Sequence, residues 1–169
     1  MSLMLWVLVP QDISAQIACN DLVNASLDAN GEYVLTPEDV VEGTLPDDAE
    51  ISIDGENFFP EITLDCSDVG EALITINSET DGMCWSNLVI SDLLPPVPYT
   101  HSVLTRELVG GVLQIGASDF DVASYDNCGP PNISLSQTFF TNPGVYELTF
   151  TATDASLNVA TTQVFLIIQ

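Results

Sequence analysis

The sequence predicts an all-β protein made of two tandem antiparallel β-sandwich modules, and three observations carry that prediction. The chain repeats itself: VGEALITINSETDG at 69–82 is answered by PGVYELTFTATDAS at 143–156, with Gly70 falling on Gly144 and Asp81 close to Asp154. GEYVLTPED at 31–39 is answered in turn by GVLQIGASD at 111–119, and EISID at 50–54 by NISLS at 132–136. A unit of about 75 to 80 residues is long for a solenoid repeat and fits a small β-domain. Apolar residues also alternate with polar ones. Tyr146, Leu148, Phe150 and Ala152 interleave with Glu147, Thr149, Thr151 and Thr153, the period of a half-buried antiparallel strand. Helix signals are nearly absent: only Thr36-Pro37-Glu38-Asp39 reads as an N-cap with proline at the first helical position, enough for a single turn.

In chain order, residues 1–16 open with the apolar run MSLMLWVLV, too short to span a bilayer, followed by Pro10 and the small-residue stretch Ile13-Ser14-Ala15-Gln16. This reads as the remnant of a secretory signal peptide cut after Ala15 or Gln16, although no Lys or Arg precedes the run. The first module follows at residues 17–92. Its strands include Ile51 and Ile53, matched by Ile133 and Leu135, and Ala72, Ile74 and Ile76, which share the parity of Tyr146, Leu148 and Phe150. Leu88 to Ile90 match the closing strand Val164 to Ile168. Residues 93–96 form a proline-rich linker, where Pro95 and Pro96, with Pro98 just beyond, favour semi-rigid polyproline geometry. The second module occupies residues 97–169 and ends on FLIIQ, which suggests a further module or sorting segment beyond it.

The 169-residue chain carries 25 Asp and Glu against one Arg, Arg106, one His, His101, and no Lys. Such a surface repels phosphate backbones and anionic membranes, which argues against nucleic acid and lipid headgroups and for divalent cations or a cationic partner. Plain solubility in an extracellular medium accounts for the charge equally well. No later segment approaches membrane-spanning length. Each module is small, so its core calls for a staple.

Several strings carry a resemblance. In the first module they are ACNDLV from Ala18, LDCSDVG from Leu64, MCWSNLVI from Met83 and the DLLPP that follows; in the second they are ASDFDVASYDNCG from Ala117 and LTFTATDASLNVATTQVFL from Leu148. These resemble the HYR (hyalin repeat) family of immunoglobulin-like modules and the secreted repeat proteins of Bacteroidetes-type bacteria, over nearly the whole mature chain. The resemblance implies two immunoglobulin-like β-sandwiches of roughly seven strands each, used for cell adhesion or as spacers in secreted or cell-surface proteins. The chain departs from the HYR pattern after Ser156, where Leu157 stands in place of Gly, which loosens the turn expected there.

Four cysteines allow three pairings, and an exported chain meets an oxidising compartment. Aligning the repeats puts Cys19 on Tyr99 and Cys84 near Ala160, so the second copy lacks both positions together. Joint absence argues for a Cys19–Cys84 disulfide contributing roughly 2–4 kcal/mol. Cys66 falls on Phe140 and Cys128 on Pro46, one in each module. In the resembled family both positions often occur within one module, which suggests they would bond there. Here they read as free thiols in preference to a bridge between modules.

Asp119, Asp121, Asp126 and Asn127 cluster within nine residues, and Asp154 with Asn158 lies in a later loop. In a sandwich these loops can share one end of the module, where carboxylates, amides and carbonyls supply the hard oxygens calcium requires. The plainer alternative is that Asp and Asn form turns by bonding their own backbone. An EF-hand is excluded, because Ala123 takes the fifth loop position.

Catalysis finds little support: His101 is the lone imidazole, no CxxC spacing suits zinc, and modules of about 75 residues leave little scaffold for a deep cleft. The chain therefore reads as non-enzymatic, with neighbouring repeats of the same polypeptide as its first partners and a surface glycan or protein as a further one. Carbohydrate-binding modules are the rival reading, since sugar platforms need exposed aromatics. Phe58-Phe59 and Phe139-Phe140 must each put one ring outward if they lie on strands, whereas Trp85, next to Cys84, is expected to pack in the core beside the bridge. A structural fragment of a larger secreted enzyme is the third reading.

Overall fold

The computed structural model describes residues 16–169, so the leader read at 1–16 lies outside the described residues except for Gln16. The first half of the chain forms β1 (Ala18–Cys19), β2 (Leu22–Ser26), β3 (Glu32–Leu35), β4 (Val41–Glu42), β5 (Glu50–Ser52), β6 (Ile62–Asp65), β7 (Gly70–Ser78) and β8 (Gly82–Ser91). The second half forms β9 (Val103–Arg106), β10 (Leu113–Gln114), β11 (Asn132–Leu135), β12 (Phe139–Phe140), β13 (Gly144–Thr153) and β14 (Val159–Ile168).

The repeat seen in the sequence is a repeat of topology. A four-stranded sheet of order β2-β8-β7-β5 and a two-stranded sheet β3-β6 are answered by β11-β13-β14-β9 and β10-β12. The short β1-β4 pair has its counterpart in the isolated bridges Val97–Tyr125 and Thr100–Asp121. The pairing is alike in sense: β5 meets β7 antiparallel with Ile51 opposite Ile76, and β11 meets β13 antiparallel with Ile133 opposite Ala152, two residues beyond Phe150, the repeat counterpart of Ile76. β13 and β14 pair antiparallel along their full length, from Gly144–Ile168 to Thr153–Val159, and β9 closes the sheet parallel to β14.

Alternation decides which side chains go inside. Ile74, Ile76 and Ser78 of β7 are buried at the same steps as Leu148, Phe150 and Ala152 of β13. In the second half these residues join Val164, Leu166 and Ile168 of β14, Phe140 of β12 and Phe120 of the preceding loop in one apolar core. Full burial of each large side chain contributes about 1.5–3 kcal/mol. Phe140 meets Tyr146 edge-on, with ring centroids 4.8 Å apart. The sheets of each half thus form the antiparallel, immunoglobulin-like sandwich the resemblance implied.

The turn expected at Thr36–Asp39 is a 3-10 turn over Pro37–Asp39, closed by the Asp39 carboxylate, which accepts the Thr36 N–H at 2.9 Å. Its repeat partner is a second such turn, Ala117–Asp119, where Asp119 accepts the Gly116 N–H at 2.7 Å. A third, Cys66–Asp68, follows β6. By compactness the chain divides into one unit of residues up to Val23, Leu35–Ile62 and Glu71–Leu88, and another of Asn24–Val34, Thr63–Gly70 and Val89–Gln169.

Candidate metal centre

Three aspartates of the second unit converge from segments far apart in sequence. Asp92 follows β8 directly, Asp126 sits in the loop ahead of β11, and Asp154 follows β13. One carboxylate oxygen from each can lie within 4.8 Å of the others. Asp92 and Asp154 are 3% and 7% exposed, while Asp126 is half-buried. Asp92 Oδ1 accepts the Leu94 N–H at 3.1 Å and an Asn127 side-chain N–H at 3.2 Å, leaving Oδ2 buried with no hydrogen-bond donor. Asp126 Oδ2 accepts the Cys128 N–H at 2.9 Å, and its Oδ1 is likewise buried and unpartnered. The side-chain oxygen of Asn127 is a third such atom.

The loops are held by Asn158 and Asn127. Asn158 donates its backbone N–H and its side-chain amide to the two oxygens of Asp154, at 2.8 and 2.9 Å, and the same amide reaches the carbonyls of Asp92 at 3.0 Å and Leu94 at 3.3 Å. The Asn127 amide donates also to the Asp28 carbonyl at 3.1 Å. Directly after Asn127, Cys128 is joined to Cys66 by a disulfide, Cα–Cα 5.4 Å. Gly31 makes room for it: at φ +76° a Cβ there would stand 2.6 Å from Cys66 Sγ and 2.9 Å from the Asn127 carbonyl oxygen, so no other residue fits.

Burying anionic oxygens with neither donor nor counter-ion costs several kcal/mol per group. Protein cations do not offset it here, because Arg106 is the chain's one Lys or Arg side chain and it lies 3.9 Å from Asp119. Three carboxylates, the Asn127 oxygen and nearby carbonyls are the hard donor set that calcium takes, and metal–oxygen distances of about 2.3–2.6 Å suit oxygens spaced this closely.

Of the residues singled out in the sequence, Asp126, Asn127, Asp154 and Asn158 come together, and Asp92 joins them. Asp119 and Asp121 stand elsewhere, spent on turns: Asp119 closes its 3-10 turn and Asp121 Oδ1 accepts the Ser124 N–H at 3.1 Å. Asp92 lies next to the prolines, more than thirty residues from the rest of the cluster; its signal in the sequence is a lone carboxylate directly after the last strand of a module. Cys19 and Cys84 are bonded, with Cα atoms 5.7 Å apart. The free-thiol reading of Cys66 and Cys128 is overturned by their disulfide: the two come from different halves of the chain but meet within one unit, beside a glycine that lets sulfur approach.

Among the aromatic residues, Trp85 departs from expectation. Trp85 is 69% exposed instead of packing beside the bridge, because adjacent strand residues face opposite ways and Cys84 takes the inner side. Phe140 is buried and Phe139 exposed; Phe58 is half-buried and Phe59 exposed. Phe59 lines a cleft of about 400 Å³ with Ile53, Asp54, Asn57, Glu61 and Ile62. Among the described residues no helix is long and apolar enough to cross a membrane.

No protein-family model and no curated protein sequence matches the chain. Similar solved structures include the human mucin-like protocadherin EC1-2, at 12% identity over 90% of this chain and 98% of that one, TM-score 0.38. The titin Ig tandem domains are similar at 10% identity over 90% and 95%, TM-score 0.32. An endo-fucoidan hydrolase of glycoside hydrolase family 107 is similar at 14% identity over 86% of this chain and 32% of that chain, TM-score 0.27. These likenesses concern fold alone, and the chain's own topology makes it an all-β protein of immunoglobulin-like sandwiches.

Proposed function

We propose that the chain is a pair of non-catalytic, HYR-like modules of a secreted or cell-surface bacterial protein, with its boundary at residues 93–96. The modules serve adhesion or spacing, and a calcium ion held by Asp92, Asp126, Asp154 and the Asn127 oxygen stiffens them. One observation carries the reading: buried carboxylate oxygens of Asp92 and Asp126 that no donor reaches, in a chain with no basic side chain to spare. Two disulfides suit an extracellular setting. A non-catalytic role is supported by the cysteines being bonded and by the single imidazole, His101, lying exposed. Isothermal titration of the chelator-stripped chain tests the reading. It should bind one calcium with a Kd of about 10⁻⁴–10⁻³ M, the range of extracellular modules, and the absence of binding would refute it.

Glycan binding is the second reading, favoured by the Phe59 cleft. It predicts that neutral polysaccharide retards the chain in an affinity gel and that Phe59→Ala abolishes the retardation. Equal mobility of the two proteins would contradict it.

A further inference from the structure

We propose that the Cys66–Cys128 disulfide and calcium at Asp92, Asp126 and Asp154 stabilise each other, so that the cation affinity of this site depends on redox state. The inference rests on the calcium reading above. Its basis is that three consecutive residues serve both structures. Asp126 offers an unpartnered buried oxygen to the ion while its other oxygen holds the Cys128 N–H at 2.9 Å. Asn127 offers its side-chain oxygen, ties its amide to Asp92 Oδ1 at 3.2 Å and to the Asp28 carbonyl at 3.1 Å, and rests that amide 3.6 Å from Cys128 Sγ. Cys128 then anchors the loop covalently to the turn at Cys66, whose Sγ packs 3.6 Å from the carbonyl oxygens of both Gly31 and Asn127. A second observation points independently to a ligand: Asp92, 3% exposed, holds an oxygen without a donor.

Cutting the S–S bond returns conformational freedom to residues 126–128, and that freedom must be lost again when the ion binds, which weakens binding. The coupling is reciprocal: an ion that prefers the oxidised form must raise that form's resistance to reduction by the same factor. The reducing step is an ordinary exchange with a dithiol. Its thiolate attacks one cysteine sulfur, the S–S bond breaks, and the second reductant sulfur releases the mixed disulfide. The reductant ends as a disulfide and Cys66 and Cys128 as thiols.

The test is an equilibrium titration with dithiothreitol redox buffers, with calcium or with chelator, quenched by alkylation and read by peptide mass spectrometry. Cys19–Cys84, in the other unit, is the internal control. Saturating calcium should shift the Cys66–Cys128 equilibrium about tenfold toward the disulfide and leave Cys19–Cys84 unchanged. In parallel, the Cys66→Ser/Cys128→Ser variant should bind calcium about tenfold more weakly than the oxidised chain. Calcium binding with equal or no protection of the two disulfides overturns the coupling alone. No calcium binding to the oxidised chain overturns the metal site and this inference with it.

Discussion

The same place in the two halves of the repeat holds a cluster of acidic residues, but the clusters are satisfied in different ways. In the first half, Asp48 lies in the loop ahead of β5, and the end of β7 brings it hydroxyls: Ser78 Oγ donates at 2.8 Å, and Thr80 contributes its hydroxyl and backbone N–H, each at 3.2 Å. In the second half, Asp126 lies in the loop ahead of β11, and the end of β13 brings it another carboxylate, Asp154, beside Asp92. Counting from Gly70 and Gly144, Thr80 and Asp154 occupy the same position. One copy therefore neutralises its aspartate with donors, whereas the other assembles acceptors. A surplus of buried acceptors is what a cation satisfies, so on the proposed reading the two copies differ in cation dependence through a hydroxyl-to-carboxylate difference.

That contrast can be broken from either side. The largest effect is expected from Asp92→Asn, which removes one charge from the cluster and should weaken calcium binding about 100-fold, as ligand charge governs the affinity of such sites. Asp48→Asn should leave calcium affinity unchanged, and a matched loss in both variants would erase the distinction between the clusters. Next, Asp154→Thr makes the second copy resemble the first. In chelator it should be more stable than the parent by about 1–2 kcal/mol, because one of three mutually repelling carboxylates is gone, and its melting should no longer respond to calcium. Lower stability in chelator with the calcium response intact would contradict the comparison.

A smaller effect is expected at the turn carrying Asp154. Leu157 has φ 70°, the left-handed region, and among the described residues it is the one non-glycine with positive φ. Leu157→Gly should stabilise the chain by about 1 kcal/mol in urea unfolding, and a destabilised variant would show that no strain is held at this turn.

The smallest effect concerns acid. The Ser78 hydroxyl, with help from Thr80, holds the Asp48 carboxyl below its ordinary value of 3.8. Because the folded state favours the ionised form, this contribution is fully present above about pH 4 and is lost as pH falls through the depressed value. Ser78→Ala should therefore blunt the loss of stability as pH falls below about 4 in chelator. An unchanged acid profile would mean that the hydroxyl does not matter.

Much of the architecture was legible. The alternation around Leu148 and Phe150, repeated at Ile74 and Ile76, is a local pattern, and local patterns survive into the structure because strand pleating enforces them. Cys19–Cys84 could be read because both cysteines vanish together in the second copy. Cys66–Cys128 could not, because its two ends fall on unrelated positions of the repeat and depend on the absence of a side chain at Gly31. The metal cluster was half visible. Proximity in sequence favoured Asp119 and Asp121, yet the equivalence of TPED and GASD marks Asp119 as a turn-closing residue like Asp39. Asp92 joins the cluster only because folding sets the end of β8 next to two distant loops. Trp85 departs from expectation because standing next to a bridge cysteine does not decide strand parity: with Cys84 inside, its neighbour must face out.

The most direct measurement is thermal unfolding of the intact chain and of Asp92→Asn, each in millimolar calcium and in chelator. At 10 mM calcium, about 10 to 100 times the Kd, the ion should contribute about 1.4–2.7 kcal/mol and raise the parent's Tm by roughly 3–10 °C. Asp92→Asn should show little or no rise at the same concentration. A parent Tm indifferent to calcium, or an equal rise in the variant, would contradict the assignment of these three aspartates to a cation.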